Sequence, residues 1–272
     1  MTAGAGRLRN DWRGWVLVGS LIACTLAAVF VPPMPQPLSY HAFADCREFW
    51  SIPNFFNVIS NLPFLVGGGL GLVIILRGSG SFIEQRESLP YIFFFLGALL
   101  TSFGSAYYHL APDNPRLVWD RLPMTLGFAG LVSAALAERA NLTGGLRVLW
   151  PLLIIGALTV FVWYAGERQG QGRGNVIPYG LYQGWSILAI VLLILAFPAR
   201  RYSHGALLAW AAGWYLLAKV FETFDLGVYR LSNQVISGHT IKHLLAAGAV
   251  FAIVRQLRLR RALTAPTLAP QP

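Results

Sequence analysis

Eight apolar stretches, each about twenty residues long and separated by short polar or Gly/Pro breaks, dominate this chain. An α-helix of about that length crosses the hydrocarbon core of a bilayer, where every backbone N–H and C=O has to be bonded within the segment. The runs fall near 14–31, 54–76, 90–110, 117–137, 146–165, 176–197, 206–225 and 237–254. Pro32-Pro33, Gly78-Ser79-Gly80, Pro112 to Pro115, Gly166 to Gly174 and Arg200-Arg201 interrupt them. Hydrophobic residues make up 56% of the chain and charged ones only 12%, which a water-exposed surface does not tolerate. The reading is therefore an all-α, multi-pass integral membrane protein.

The formal net charge of +10 would suggest nucleic acid in a soluble protein. Here the basic residues sit in the loops, so membrane topology accounts for them and no nucleic-acid partner is expected. One set of segments holds Arg7, Arg9, Arg13, Arg77, Arg86, Arg139, Arg147, Arg200, Arg201, Arg255, Arg258, Arg260 and Arg261. The opposite set holds Arg47, Arg116, Arg168, Arg173 and Arg230. That bias predicts both termini in the cytoplasm. Arg7, Arg9 and Arg13 before an apolar run also describe a secretory signal, and Leu21-Ile22-Ala23-Cys24 resembles a lipoprotein processing site. The run continues to Val31, long enough to span, so an uncleaved helix is expected. Cys24 lies in that run and Cys46 in a loop, an arrangement that does not suggest a disulfide.

Ionisable residues inside a bilayer are expensive, so each requires a reason. The candidates are His109, Asp120, Arg121, Lys219, Glu222, Asp225, His239, Lys242 and His243. His109 ends the third span, Asp120 begins the fourth, and His239 and His243 begin the eighth, all at one depth on the non-cytoplasmic side. His239 and His243 at i and i+4 share a helical face, a spacing suited to one zinc ion. A third imidazole, His109, would leave one tetrahedral position for a water that the metal makes acidic. The pair lacks the glutamate of HExxH, so a general base must come from elsewhere, and Asp120 is the natural candidate. Ser105 sits one turn below His109. Asn57, Ser60 and Asn61 read as hydrogen-bonding across helices, Lys219 and Glu222 as a neutralising pair, and Asp225 as a supporting residue. Lys242 reads as reaching for the outer interface, and Trp50, Trp119 and Tyr179 as interfacial anchors.

These strings resemble the alkaline ceramidase family, membrane hydrolases related to adiponectin-receptor-like proteins. The resemblance rests on Asn57-Val58-Ile59-Ser60-Asn61-Leu62, on Ser105-x3-His109 followed by Asp120-Arg121-Leu122-Pro123-Met124, and on His239-x3-His243, and it covers about residues 40–255. It implies a seven-helix bundle around zinc held by His109, His239 and His243, with Asp120 as proton carrier and Ser105 aiding the oxyanion. The substrate implied is ceramide or another N-acyl lipid of the membrane, cleaved to a fatty acid and a sphingoid base. The same bundle also suits a lipid-sensing receptor with little turnover. A proton-relay transporter fits less well, because neither repeats nor broken helices are evident. Residues 1–40 would then form a cytoplasmic segment and an extra transmembrane helix, 41–255 the catalytic bundle, and 256–272 a basic, disordered tail. Members from animals carry an acidic calcium loop before their first helix. Asp45, Glu48 and Asn54 are the corresponding calcium candidates, in a loop that is shorter and less acidic.

Overall fold

In the computed structural model, residues 12–78, 82–170 and 174–263 are described, and they contain no β-sheet, only two isolated bridges. A helix forms over each of the eight apolar stretches: α1 (Trp12–Val29), α2 (Phe55–Ile59) running on into α3 (Leu62–Leu76), α4 (Ser88–Leu110), α5 (Asn114–Arg139), α6 (Leu142–Arg168), α7 (Ile177–Ala196), α8 (Ala206–Thr223) and α10 (Gly238–Leu259). The short α9 (Asp225–Leu231) links the last two. Six of these units are long and apolar enough to cross a membrane, as befits a multi-pass membrane protein. The two other long helices, α5 and α8, are more polar because they carry Asp120, Arg121, Lys219 and Glu222 in their interiors. Large apolar side chains such as Ile154, Leu158 and Val162 of α6 point outward, the inverse of a soluble protein's surface.

Helices α3, α4, α5, α6, α8 and α10 pack in a continuous series of neighbours, with α4 against α5 and α8 against α10 the most extensive pairs. α1 stands apart: none of it is buried, and it leans mainly on α7, where Ser20 meets Trp185. Helix starts are fixed by local chemistry. Asp113 caps α5 through the Arg116 N–H, Asn141 caps α6 through the Gly144 N–H, and Ser237 caps α10 through the Thr240 N–H.

One sequence device sets the close approach of α4 to α5. Pro123 lies inside α5 and has no N–H, so the carbonyl four residues back, that of Trp119, loses its helical donor. That carbonyl faces Gly104 of α4: a Cβ added there would lie 1.9 Å from the Trp119 oxygen. Only glycine fits, and its Cα–H can meet the freed oxygen. The contact falls one residue before Ser105 and one residue before Asp120, so it sets the spacing between these two side chains.

The C-terminal boundary differs from the expected one. α10 runs to Leu259, and Gln256, Leu257 and Arg260 are buried, so 256–263 belongs to the bundle. Arg260 pairs with Glu138 at 2.5 Å and lies over the rings of Phe82, Tyr91 and Tyr202. Arg139, counted above among the loop cations, is also buried and donates to the Phe197 and Gly205 carbonyls. Part of the basic surplus thus ties helix ends together. Arg7, Arg9, Arg173 and the tail from 264 lie outside the described residues.

Gly104→Ala should destabilise the protein by about 1–3 kcal/mol through overpacking against the Trp119 carbonyl. Gly69→Ala, where an added Cβ meets nothing within 4 Å, should be close to neutral. Thermal unfolding in detergent checks the pair, and equal shifts would remove the α4–α5 contact from the account.

Candidate metal centre and cavity

The residues singled out by spacing converge. His109 on α4 and His239 and His243 on α10 each offer a ring nitrogen within 4.8 Å of the others, and all three residues are buried. Ring centroids are 4.8–5.0 Å apart. Nε2 of His109 and Nε2 of His239 face each other at 3.3 Å. Two nitrogens bound to one tetrahedral zinc at about 2.05 Å would be separated by about 3.3 Å, so the observed gap is the one a shared ion requires. Hydrogen bonding alone serves the trio poorly. Three imidazoles converging on one point cannot all pair with one another there. A metal ion could engage all three at once.

The neighbours hold the rings in that orientation. Ser60 bonds Nδ1 of His243 at 2.7 Å, which leaves Nε2 to face the other two rings. Asn57 receives the Thr240 hydroxyl at 3.0 Å, tying the α2 turn to α10. Asp225 bonds the His239 N–H at 2.8 Å with one oxygen and the Ala44 N–H at 3.0 Å with the other. A carboxylate on the first turn of α10 also complements the helix dipole. Gly238 makes this possible, since a Cβ there would lie 2.2 Å from the Phe221 carbonyl. The supporting role expected of Asp225 is thereby given a concrete form, as are the cross-helix bonds of Asn57 and Ser60.

Asp120 and Ser105 stand beside this trio. Both are buried, the Ser105 hydroxyl lies within reach of the Asp120 carboxylate, and both line a cavity together with His243. The cavity, about 70 Å³, is also lined by Tyr40, Asn61, Arg121, Lys219, Glu222 and Lys242. Glu222 pairs with Lys219, as anticipated, and with Lys242 at 3.1 Å. Lys242 therefore faces inward and does not reach for the membrane surface. Its attraction to a half-buried carboxylate outweighs what a short climb to water would give. Tyr179 is likewise no interfacial anchor: it is buried, with its ring 4.8 Å from the Arg121 guanidinium. Trp50 and Trp119 are exposed. An apolar cavity of about 130 Å³ adjoins the polar one, and Phe64, Thr101, Met124, Tyr215 and Ala246 line both.

The calcium candidates do not assemble. Arg47 engages both oxygens of Asp45, at 2.8 and 2.6 Å. Asn54 turns its amide to the His109 carbonyl at 2.9 Å, and Glu48 is exposed. Among the described residues, no group of three potential ligands includes Asp45 or Glu48. Both oxygens of Asp45 are spent on a guanidinium, so the loop is held by an ion pair in the place of a cation. Cys24 and Cys46 are free.

Sequence reasoning missed the roof. Phe43 sits between two of the histidines, with ring centroids 4.6 Å from His109 and 4.5 Å from His239. The segment carrying it is pinned by His41, whose ring bonds the Tyr108 hydroxyl at 2.9 Å and Asn114 at 3.0 Å. Tyr40, on the same turn, lines the cavity while 38% of the residue stays exposed. Desolvation pushes its phenol above the ordinary value, so it stays a neutral hydrogen-bonding group at physiological pH. A loop phenylalanine has no period to betray it. His41, three residues from Ala44 and the Asp225 tether, was the available hint.

Neither protein-family models nor curated proteins give a match to this chain.

Ser60→Ala should free the His243 ring and weaken the affinity for a metal ion roughly tenfold to a hundredfold, the usual cost of losing such a support. Competition against a chelator of known affinity measures it, and unchanged affinity would reduce the Ser60 bond to a packing detail.

Proposed function

We propose that this protein is a zinc-dependent membrane amidohydrolase that cleaves the amide bond of ceramide or a related N-acyl lipid. The observation that carries this reading is the buried His109–His239–His243 cluster beside Ser105 and Asp120, on a polar cavity that adjoins an apolar one. An amphiphile suits such a site, with its amide in the polar part and its acyl chain in the apolar part. The resemblance to alkaline ceramidases points the same way.

Zinc bound by the three histidines would supply Lewis acidity toward the scissile carbonyl and toward a water. Asp120 takes a proton from the attacking water and then delivers it to the departing amine, the ordinary division of labour for one positioned carboxylate. Ser105 has a single hydroxyl proton and uses it on Asp120. Its role in this reading is to orient the carboxylate, in place of the oxyanion contact that the resemblance implies. Asn61 lines the cavity with an unpartnered Oδ1, an acceptor available to the amide N–H of the lipid. Phe43 and the buried walls exclude bulk water from the metal-facing side. The distribution of arginines supports both termini in the cytoplasm and a site opening toward the other face. α1 would add a peripheral span to a seven-helix unit.

Asp120→Asn should keep one zinc per chain and lower the rate of amide hydrolysis by about 10²–10⁴-fold, the usual worth of a general acid–base group. Ser105→Ala should reduce kcat more than KM. Fatty acid released from N-acyl lipids by purified protein in mixed micelles is the readout. Turnover surviving Asp120→Asn excludes the proposed base, and no turnover in zinc-replete wild type favours a lipid-sensing role.

A further inference from the structure

Arg121 is the one cavity-lining cation that the structure leaves without an acidic partner among the described residues. It is only 5% exposed, and one donor, Nη2, bonds the Gln36 side chain at 2.6 Å. Nε and Nη1 are buried without any hydrogen-bond partner. Its faces are covered by aromatic rings, with the guanidinium carbon 4.4 Å from the centroid of Trp163, 4.8 Å from Tyr179 and 5.5 Å from Tyr40. Stacking stabilises the charge by about 0.5–2 kcal/mol per ring, against several kcal/mol for desolvating an unpaired ion. It also supplies no acceptor for the in-plane N–H groups. A guanidinium held by its faces, with N–H groups left unpaired along its edge, is set up for bidentate recognition of a carboxylate or phosphate.

The rest of the cavity points to the same ligand chemistry. Its lining holds three cations, Arg121, Lys219 and Lys242, against two carboxylates, Asp120 and Glu222, a formal surplus of +1 before any metal is counted. Lys219 and Lys242 are both engaged by Glu222, so the unspent charge resides at Arg121. Asp120 lies close enough to interact electrostatically with Arg121 without forming an ion pair with it. The Gln36 and Tyr40 contacts come from the segment before α2, so Arg121 lies under that strap at the polar end, away from the apolar cavity.

We propose that Arg121 forms an oxyanion subsite, and that the preferred substrate is an N-acyl lipid bearing a carboxylate or phosphate on its amine-derived part. The proposal rests on the hydrolase reading for the direction of the lipid: acyl chain in the apolar cavity, amide at Ser105 and Asp120, anionic group at Arg121. The same edge could instead receive the carboxylate of the released fatty acid, and the experiment separates the two sources.

Equilibrium binding to the detergent-purified, zinc-loaded full chain is measured for N-oleoylglycine, the neutral N-oleoylethanolamine and oleate. N-oleoylglycine should bind about tenfold or more tighter than N-oleoylethanolamine, the difference expected of one charge-assisted bidentate contact. Arg121→Gln should abolish that ratio and Arg121→Lys retain part of it. Equal affinity of the two amides in wild type overturns the proposal and needs no variant to fold. A preference that survives Arg121→Gln overturns it as well. Oleate binding as tightly as N-oleoylglycine, with the same dependence on Arg121, assigns the subsite to the product acid and overturns the substrate assignment. Because binding is read without turnover, a chain that hydrolyses nothing sinks the hydrolase reading separately.

Discussion

Three ring nitrogens aimed at one point inside an apolar bundle are the constraint on which the remainder of this structure depends. His109 comes from the last turn of α4 and the other two from the first turns of α10, so the cluster exists only where those two helix ends meet. Left to themselves, buried imidazoles converging in this way would sacrifice hydrogen bonds. The protein nevertheless invests heavily in keeping the geometry. Ser60 orients one ring, Asp225 fixes the start of the helix that carries two, and Phe43 closes over the third side. A cation held at the centre would give that investment a physical reason.

The same logic explains why glycine and proline occur where they do. Pro123 frees a carbonyl and Gly104 makes room for it, bringing Ser105 and Asp120 onto one cavity from two helices. Gly238 lets α10 start against α8, which brings Asp225 to the His239 N–H. Each is a local choice that costs helix propensity and is offset by the tertiary contact that it permits. Interior charge is managed in two ways. Glu222 neutralises two lysines at once, whereas Arg121 is stacked on aromatic rings and keeps unpaired N–H groups along its edge.

Much of this was legible in the chain because membrane helices announce themselves by length and hydropathy. All eight helical stretches lie within a few residues of their expected bounds. The histidine trio was legible for a different reason: a charged or titratable group in a bilayer is rare enough to carry meaning, and i, i+4 spacing fixes its face. Depth along separate helices then predicted convergence. What escaped is what depends on loops and on competition between partners. Lys242 could have turned to water or to Glu222, and only the position of α8 decides. Tyr179 sits near a helix start, as an interfacial anchor would, yet it faces inward onto Arg121. Asp45 offers the same oxygens to calcium or to Arg47, and the nearer guanidinium takes them. Arg260 looked like one more basic tail residue until Glu138, far away in sequence, was seen beside it. Phe43 has no pattern at all to mark it.

The proposed chemistry depends on the metal. Zinc per chain in carefully purified, folded wild-type protein, set beside a His109→Ala/His239→Ala double variant, tests it most directly. About one zinc in the wild type and little in the variant, with both proteins folded by circular dichroism, is the result expected of a three-histidine site. Folded wild type that holds no zinc after supplementation, or a double variant with full zinc occupancy, would contradict it and leave the convergence of these imidazoles without a purpose.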